Sequence, residues 1–165
     1  MGLFTFIKDA GAKVFGIGKT STEKKAEAHA KEVAREAAED RQAEKHLAEV
    51  ISDLGLEVEN LHIAINDDIA TVTGLAANQT TKEKIVLVIG NSVGIAAVDD
   101  NMTVEIQEPE AIFHTVERGD SLSKIAKKVY GDAMKYPVIF EANKPMLTHP
   151  DRIYPGQVLR IPNLD

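Results

Sequence analysis

The sequence predicts an α+β chain: a small mixed sheet with helices packed on one face, then a C-terminal βααβ unit, entered through an N-terminal helical segment. Three observations predict it. Residues 55–106 alternate apolar and polar positions in strand-like runs around one helical run, a pattern that a single half-covered sheet would bury. "QEPEA" at 107–111 is short, acidic and broken by Pro109, so it reads as a linker. Residues 112–163 then carry strand, helix, helix and strand patterns in succession.

The elements follow in order. In residues 1–20, Leu3, Phe6, Ile7 and Ala10 fall on one helical face and Gly11 is a natural stop, so a helical lid is expected. Residues 21–54 read as one long charged helix leading into the sheet. "STEK" resembles a displaced capping box, and apolar positions are sparse until Leu47, Val50, Ile51 and Leu54 bracket one face. "VENLHIAIND" and "IATVTG" alternate with period two around a turn at Asn66, Asp67 and Asp68. "TTKEKIVLVIGNS" is expected as a helix ending near Gly90 and Asn91, and "GIAAVDDNMTVEI" as a strand with a bend at Asp99 and Asp100. Beyond the linker, Leu122, Ile125, Val129, Val138, Ile139 and Leu159 supply a small core.

Composition excludes several functions. Net charge is −7 and no basic stripe appears, which argues against nucleic acid as a partner. Cysteine is absent, so disulfides, Cys-ligated zinc and a thiol nucleophile are ruled out, and a reducing compartment is weakly favoured. No run reaches the roughly 18–20 apolar residues of a membrane span. The first residues make a poor export signal, with Lys8 and Asp9 where its apolar core should be. A cytoplasmic protein without membrane insertion is expected. "GKT" at 18–20 lacks the phosphate-loop glycine, since Lys13 stands in its place. His29, Glu32 and Glu36 share a helical face, as do His46, Glu49 and Asp53, but three ligands on one exposed helix make a weak metal site. Ser121 in "GDSL" lacks a nucleophile elbow, and no catalytic constellation is found, so an enzyme is not expected.

The C-terminal motifs are specific. "HTVERGDSLSKIAKKVYGD", "IFEANK" and "RIYPGQVLRIP" closely resemble a LysM domain over residues 112–163. That resemblance implies binding of N-acetylglucosamine polymers such as peptidoglycan. By position, the groove would use Gly119, Asp120, Ser121, Leu122, Pro145, Met146, Leu147 and Ile153. "IATVTG" and "IVLVIGNSVGIAAVDDNMTVE" resemble a BON domain over residues 55–106. The opening "MGLF-F-KDAG", the BON-like stretch, the linker and the LysM-like end together resemble the bacterial potassium-binding protein family. Residues 21–54 match it least. The resemblance implies a small cytoplasmic monomer that binds a potassium ion with a conformational change, while the LysM motifs keep a peptidoglycan-binding adaptor as the alternative.

Potassium is large and weakly polarising, so neutral carbonyl oxygens suit it, whereas carboxylate clusters favour hard divalent ions. Helix C-termini leave carbonyls without intrahelical partners and carry partial negative charge. Two such ends are expected, one near Gly11 and one at "IGNSVGI". If they converge, Ile7, Ala10, Gly90, Ser92 and Ile95 would contribute backbone carbonyls, and side-chain identity would matter little. The rival reading of the same glycines is a Schellman-type C-cap.

Overall fold

The computed structural model describes residues 2–6 and 29–164. Strand β1 (Gly2–Thr5) is followed among these residues by helix α1 (His29–Asp53), the hairpin β2 (Val58–Asn66) and β3 (Ile69–Asn78), helix α2 (Gln79–Gly90), and strands β4 (Ala97–Asp100) and β5 (Thr103–Ile106). The C-terminal unit runs β6 (Ile112–Thr115), α3 (Leu122–Tyr130), a 3-10 turn (Ala133–Lys135), α4 (Tyr136–Ala142) and β7 (Val158–Ile161). The α+β architecture and the βααβ order are as expected. Among the described residues, no helix is long and apolar enough to cross a membrane.

The first sheet has the order β1-β4-β3-β2. The β2–β3 hairpin turns through Asp67, whose φ of 57° is in the left-handed region that Asp tolerates better than most residues. Strands β3 and β4 are parallel, so they need a crossover, and α2 supplies it. The expected long final strand is divided. β4 pairs with the first half of β3 and β5 with its second half, both parallel. The break falls at Asn101 and Met102 rather than at Asp99 and Asp100, because the Asp100 carboxylate accepts the Met102 N–H at 3.0 Å and turns the chain there.

The opening residues differ from expectation. Leu3 and Phe6 do not share a helical face, since Gly2–Thr5 is a strand paired antiparallel with β4, Leu3 opposite Asp99 and Phe4 opposite Val98. The sheet's edge gains hydrogen bonds for a segment that alternates in burial, and that outweighs a helical turn with a glycine near each end. The rest of the expected lid, and residues 21–28 of the expected long helix, lie outside the described residues.

Helix α2 is the pivot of the molecule. Ile85, Val86, Leu87, Val88 and Ile89 are all 0–1 % exposed, so this run is apolar all round because it is covered all round. It touches α1, β3, β4 and β7. Burying each such side chain contributes about 1.5–3 kcal/mol. The larger core extends into the C-terminal unit, for it includes Val158, with Phe113 and Met146 packed against it. The rings of Phe4 and Phe113 meet at 5.2 Å across the same boundary. A second, smaller core holds Leu122, Ile125, Ile139, Leu147, Leu159 and Ile161.

Candidate ion site

The C-terminal end of α2 and the loop that follows are neutral throughout: Gly90, Asn91, Ser92, Val93, Gly94, Ile95. Asn91 closes the helix, its N–H donating to the Leu87 carbonyl at 2.9 Å. Ser92 takes the next two acceptors, its N–H donating to Ile89 at 3.1 Å and its hydroxyl to Val88 at 2.8 Å. The loop then folds back, with the Ile95 N–H 3.3 Å from the Ser92 carbonyl and Gly94 at a φ of 90°. Asn91 itself has φ −81° and ψ 2°, so the helix does not end in the left-handed residue of a Schellman cap.

Two expectations need correction here. The carbonyls of Leu87, Val88 and Ile89 are not left over at the helix end, because the loop's own donors occupy them. Side-chain identity at Ser92 also matters, since its hydroxyl is one of those donors and the residue is fully buried. Gly90 is a glycine for a reason other than turn geometry. It lies within α2, and any side chain there would collide with the ring of Phe6. Phe6 is held in place by its N–H, which donates to the Ala96 carbonyl at 2.6 Å. The structure therefore brings the chain at Phe6 onto the loop that carries Gly90, Ser92 and Ile95. Ile7 and Ala10 lie outside the described residues.

The chemistry suits a large, weakly polarising monovalent cation better than a compact divalent one. Among the described residues, no group of three or more His, Asp or Glu is gathered closely enough to hold a metal ion. A buried loop of neutral residues at the negative end of a helix dipole is the kind of surface whose backbone oxygens can replace a loosely held hydration shell.

Three residues not singled out in the sequence tie this helix to the C-terminal unit. Glu83 and Arg160, 5 % and 7 % exposed, form an ion pair through Arg160 Nε and Glu83 Oε2. The other Glu83 oxygen accepts from the Ala111 N–H at 2.9 Å and from the Gln79 amide at 3.1 Å, so the carboxylate is fully engaged. Asn91 pairs with β7 as a strand would: its Nδ2 donates to the Val158 carbonyl and its Oδ1 accepts the Val158 N–H, both at 2.9 Å. Asn143 makes the same pairing with Arg160, at 2.8 and 2.7 Å. The edge of β7 away from β6 is thus closed by two side-chain amides, one from each half of the molecule. One signal was available in the sequence: a glutamate opening an apolar helical run and an arginine inside a short apolar strand each need a buried partner.

The residues of the expected sugar groove are split between core and surface. Leu122 and Leu147 belong to the small core and Ile153 packs on it. Met146 packs against the larger core instead. Ser121 caps α3, accepting the Lys124 N–H at 3.2 Å. Asp120 accepts the Glu117 N–H at 2.9 Å, and that bond, helped by nearby His114, holds its carboxyl below the ordinary value. Gly119, at a φ of 89°, and Pro145 are exposed. Four of the eight residues therefore have packing roles, and two more hold backbone geometry at the turn into α3.

Comparison with known proteins adds to this geometry. Residues 114–162 match the LysM domain. The chain is 45 % identical over 163 residues to the potassium binding protein Kbp of Escherichia coli O6:H1, covering 98 % of this chain and 99 % of that protein. An uncharacterized protein of Deinococcus radiodurans is 55 % identical over 49 residues, 30 % of this chain and 19 % of that one.

Proposed function

The chain belongs to the family of the potassium binding protein Kbp, and we propose that it binds a potassium ion through backbone carbonyls of the 90–95 loop. The observation that carries this reading is the end-to-end similarity to a relative named for that ion, because a match over 98 % of the chain includes the loop, the opening strand and both units. The neutral, buried loop supports it. In this reading Gly90, Ser92 and Ile95 supply carbonyls from the loop, and Ile7 and Ala10 supply them from the opening segment. The ion draws the opening segment, the BON-like half and the LysM unit together, so the protein serves as a monomeric cytoplasmic sensor rather than an enzyme.

A ligand that binds only the folded state stabilises it by about 2.7 kcal/mol at a hundredfold excess over its dissociation constant. Titrating potassium against sodium at constant ionic strength, while following melting temperature and radius of gyration, is the test. Stabilisation and compaction specific to potassium are expected, and deletion of residues 1–11 should abolish both. Unchanged binding by the truncated chain would sink the two-segment site. The match to LysM favours a second reading, a peptidoglycan-binding adaptor. A melting shift with glycan fragments and none with potassium would select it.

A further inference from the structure

We infer that Asn91 is the positioning residue that couples the ion loop to the LysM unit, an inference that rests on the potassium reading above. Glu83, Leu87 and Asn91 are spaced four residues apart, so they share one face of α2. That face meets β7: Glu83 reaches Arg160, Leu87 shares the core with Val158, and Asn91 pairs with the Val158 backbone. Asn91 stands in the chain between Gly90 and Ser92, two of the proposed carbonyl donors.

The geometry makes the two tasks inseparable. The Gly90 carbonyl belongs to the peptide plane that ends at the Asn91 nitrogen, so turning that carbonyl toward or away from an ion rotates the Asn91 backbone. The Asn91 amide makes two opposed hydrogen bonds with one residue of β7 and is buried, so it tolerates little rotation before both bonds weaken. An ion that holds the loop carbonyls therefore holds the amide in the orientation β7 requires. Reciprocity follows: β7 docked on Asn91 holds the loop in the orientation the ion requires. Asn143 makes the same bonds to β7 from within the C-terminal unit, so the strand is formed without Asn91, and what Asn91 adds is attachment to the loop.

Thermal unfolding of the full chain in potassium chloride and in sodium chloride, at equal ionic strength, tests the coupling. The readout is the difference in melting temperature between the two salts, together with the potassium midpoint for compaction by X-ray scattering. A contact that only stabilises would lower both melting temperatures and leave their difference intact. In Asn91→Ala the difference is expected to shrink and the potassium midpoint to rise about tenfold, within the range of measured coupling factors. An unchanged difference and midpoint in Asn91→Ala overturn the coupling while leaving the ion site standing. If Asn91→Ala does not fold, Asn91→Ser, which keeps a polar group at the helix end but cannot make the paired amide bonds to Val158, takes its place. Its salt difference must also shrink, and an unchanged one overturns the coupling. A wild-type chain that responds equally to both salts overturns the functional reading itself, and the coupling with it.

Discussion

At its N-terminal end α2 grips β7 with charge, through the buried pair of Glu83 and Arg160. About two turns later the same helix face grips the same strand without charge, through the amide of Asn91. The two ends differ in what their chemistry permits. A buried ion pair with both carboxylate oxygens engaged has no graded response, because losing either partner leaves an uncompensated charge in the interior. The amide pair of Asn91 carries no charge, so weakening it strands no ion in the interior, and it sits where the helix dipole places partial negative charge. The comparison teaches that one contact surface can contain a permanent fastening and an adjustable one, separated along a single helix.

The sharpest way to test the fastening is to remove half of it. Glu83→Ala leaves Arg160 buried and unpaired, with an expected loss of about 3–5 kcal/mol, measured by urea denaturation. Replacing both partners, Glu83→Met with Arg160→Met, should recover most of that loss, since no charge then remains unpaired. If the single and double variants are equally destabilised, the charge is not what fastens this end.

At the other end a bulky residue should act through packing. Gly90→Val sets a branched side chain against the Phe6 ring, and overpacking of this kind costs about 1–3 kcal/mol. The larger consequence is expected in the ion response, because displacing Phe6 moves the opening segment off the loop. Combining Gly90→Val with Phe6→Ala should restore part of the stability by making room. A double variant no more stable than Gly90→Val would show that Phe6 is not what the side chain strikes.

The smallest effect belongs to the charged end again. Asp100 is buried, with Lys82 Nζ 3.5 Å from its Oδ2, and burial raises its carboxyl above the ordinary value against the pull of the Met102 N–H and of Lys82. The folded chain therefore holds this proton more tightly than the unfolded chain. The contribution to stability is largest below the ordinary carboxylate value and falls as pH rises through the raised one. Asp100→Asn should flatten that part of the stability–pH curve, as read from urea midpoints across the acid range. A variant curve parallel to the wild-type curve would remove Asp100 as the cause.

Legibility in the sequence followed the same division. The C-terminal unit was readable because its caps and turns are local: Ser121 bonds three residues ahead, and Gly131 closes α3 in the left-handed conformation. The hairpin and α2 were readable from periodicity and from the length of the apolar run. Strand β1 was not, because four residues with one glycine carry no period of their own, and their partner Asp100 is far along the chain. The loop was found as a helix end, yet its glycine was assigned to turn geometry when its cause is Phe6, a contact across the whole first half. Asn91 stayed hidden because an asparagine after a helix reads as an ordinary cap, and Arg160, whose need for a buried partner is legible in its apolar strand, carries no local sign of which partner it takes. Only tertiary packing joins them.

The central claim, that a potassium ion is held by loop carbonyls, is most directly tested by carbonyl carbon-13 NMR of the full chain during a potassium titration at constant ionic strength, with sodium as the balancing salt. The carbonyl resonances of Gly90, Ser92 and Ile95 should shift together, saturate with one midpoint, and match the midpoint for compaction. Saturable shifts elsewhere with these three carbonyls unmoved, or no difference between potassium and sodium, would contradict it.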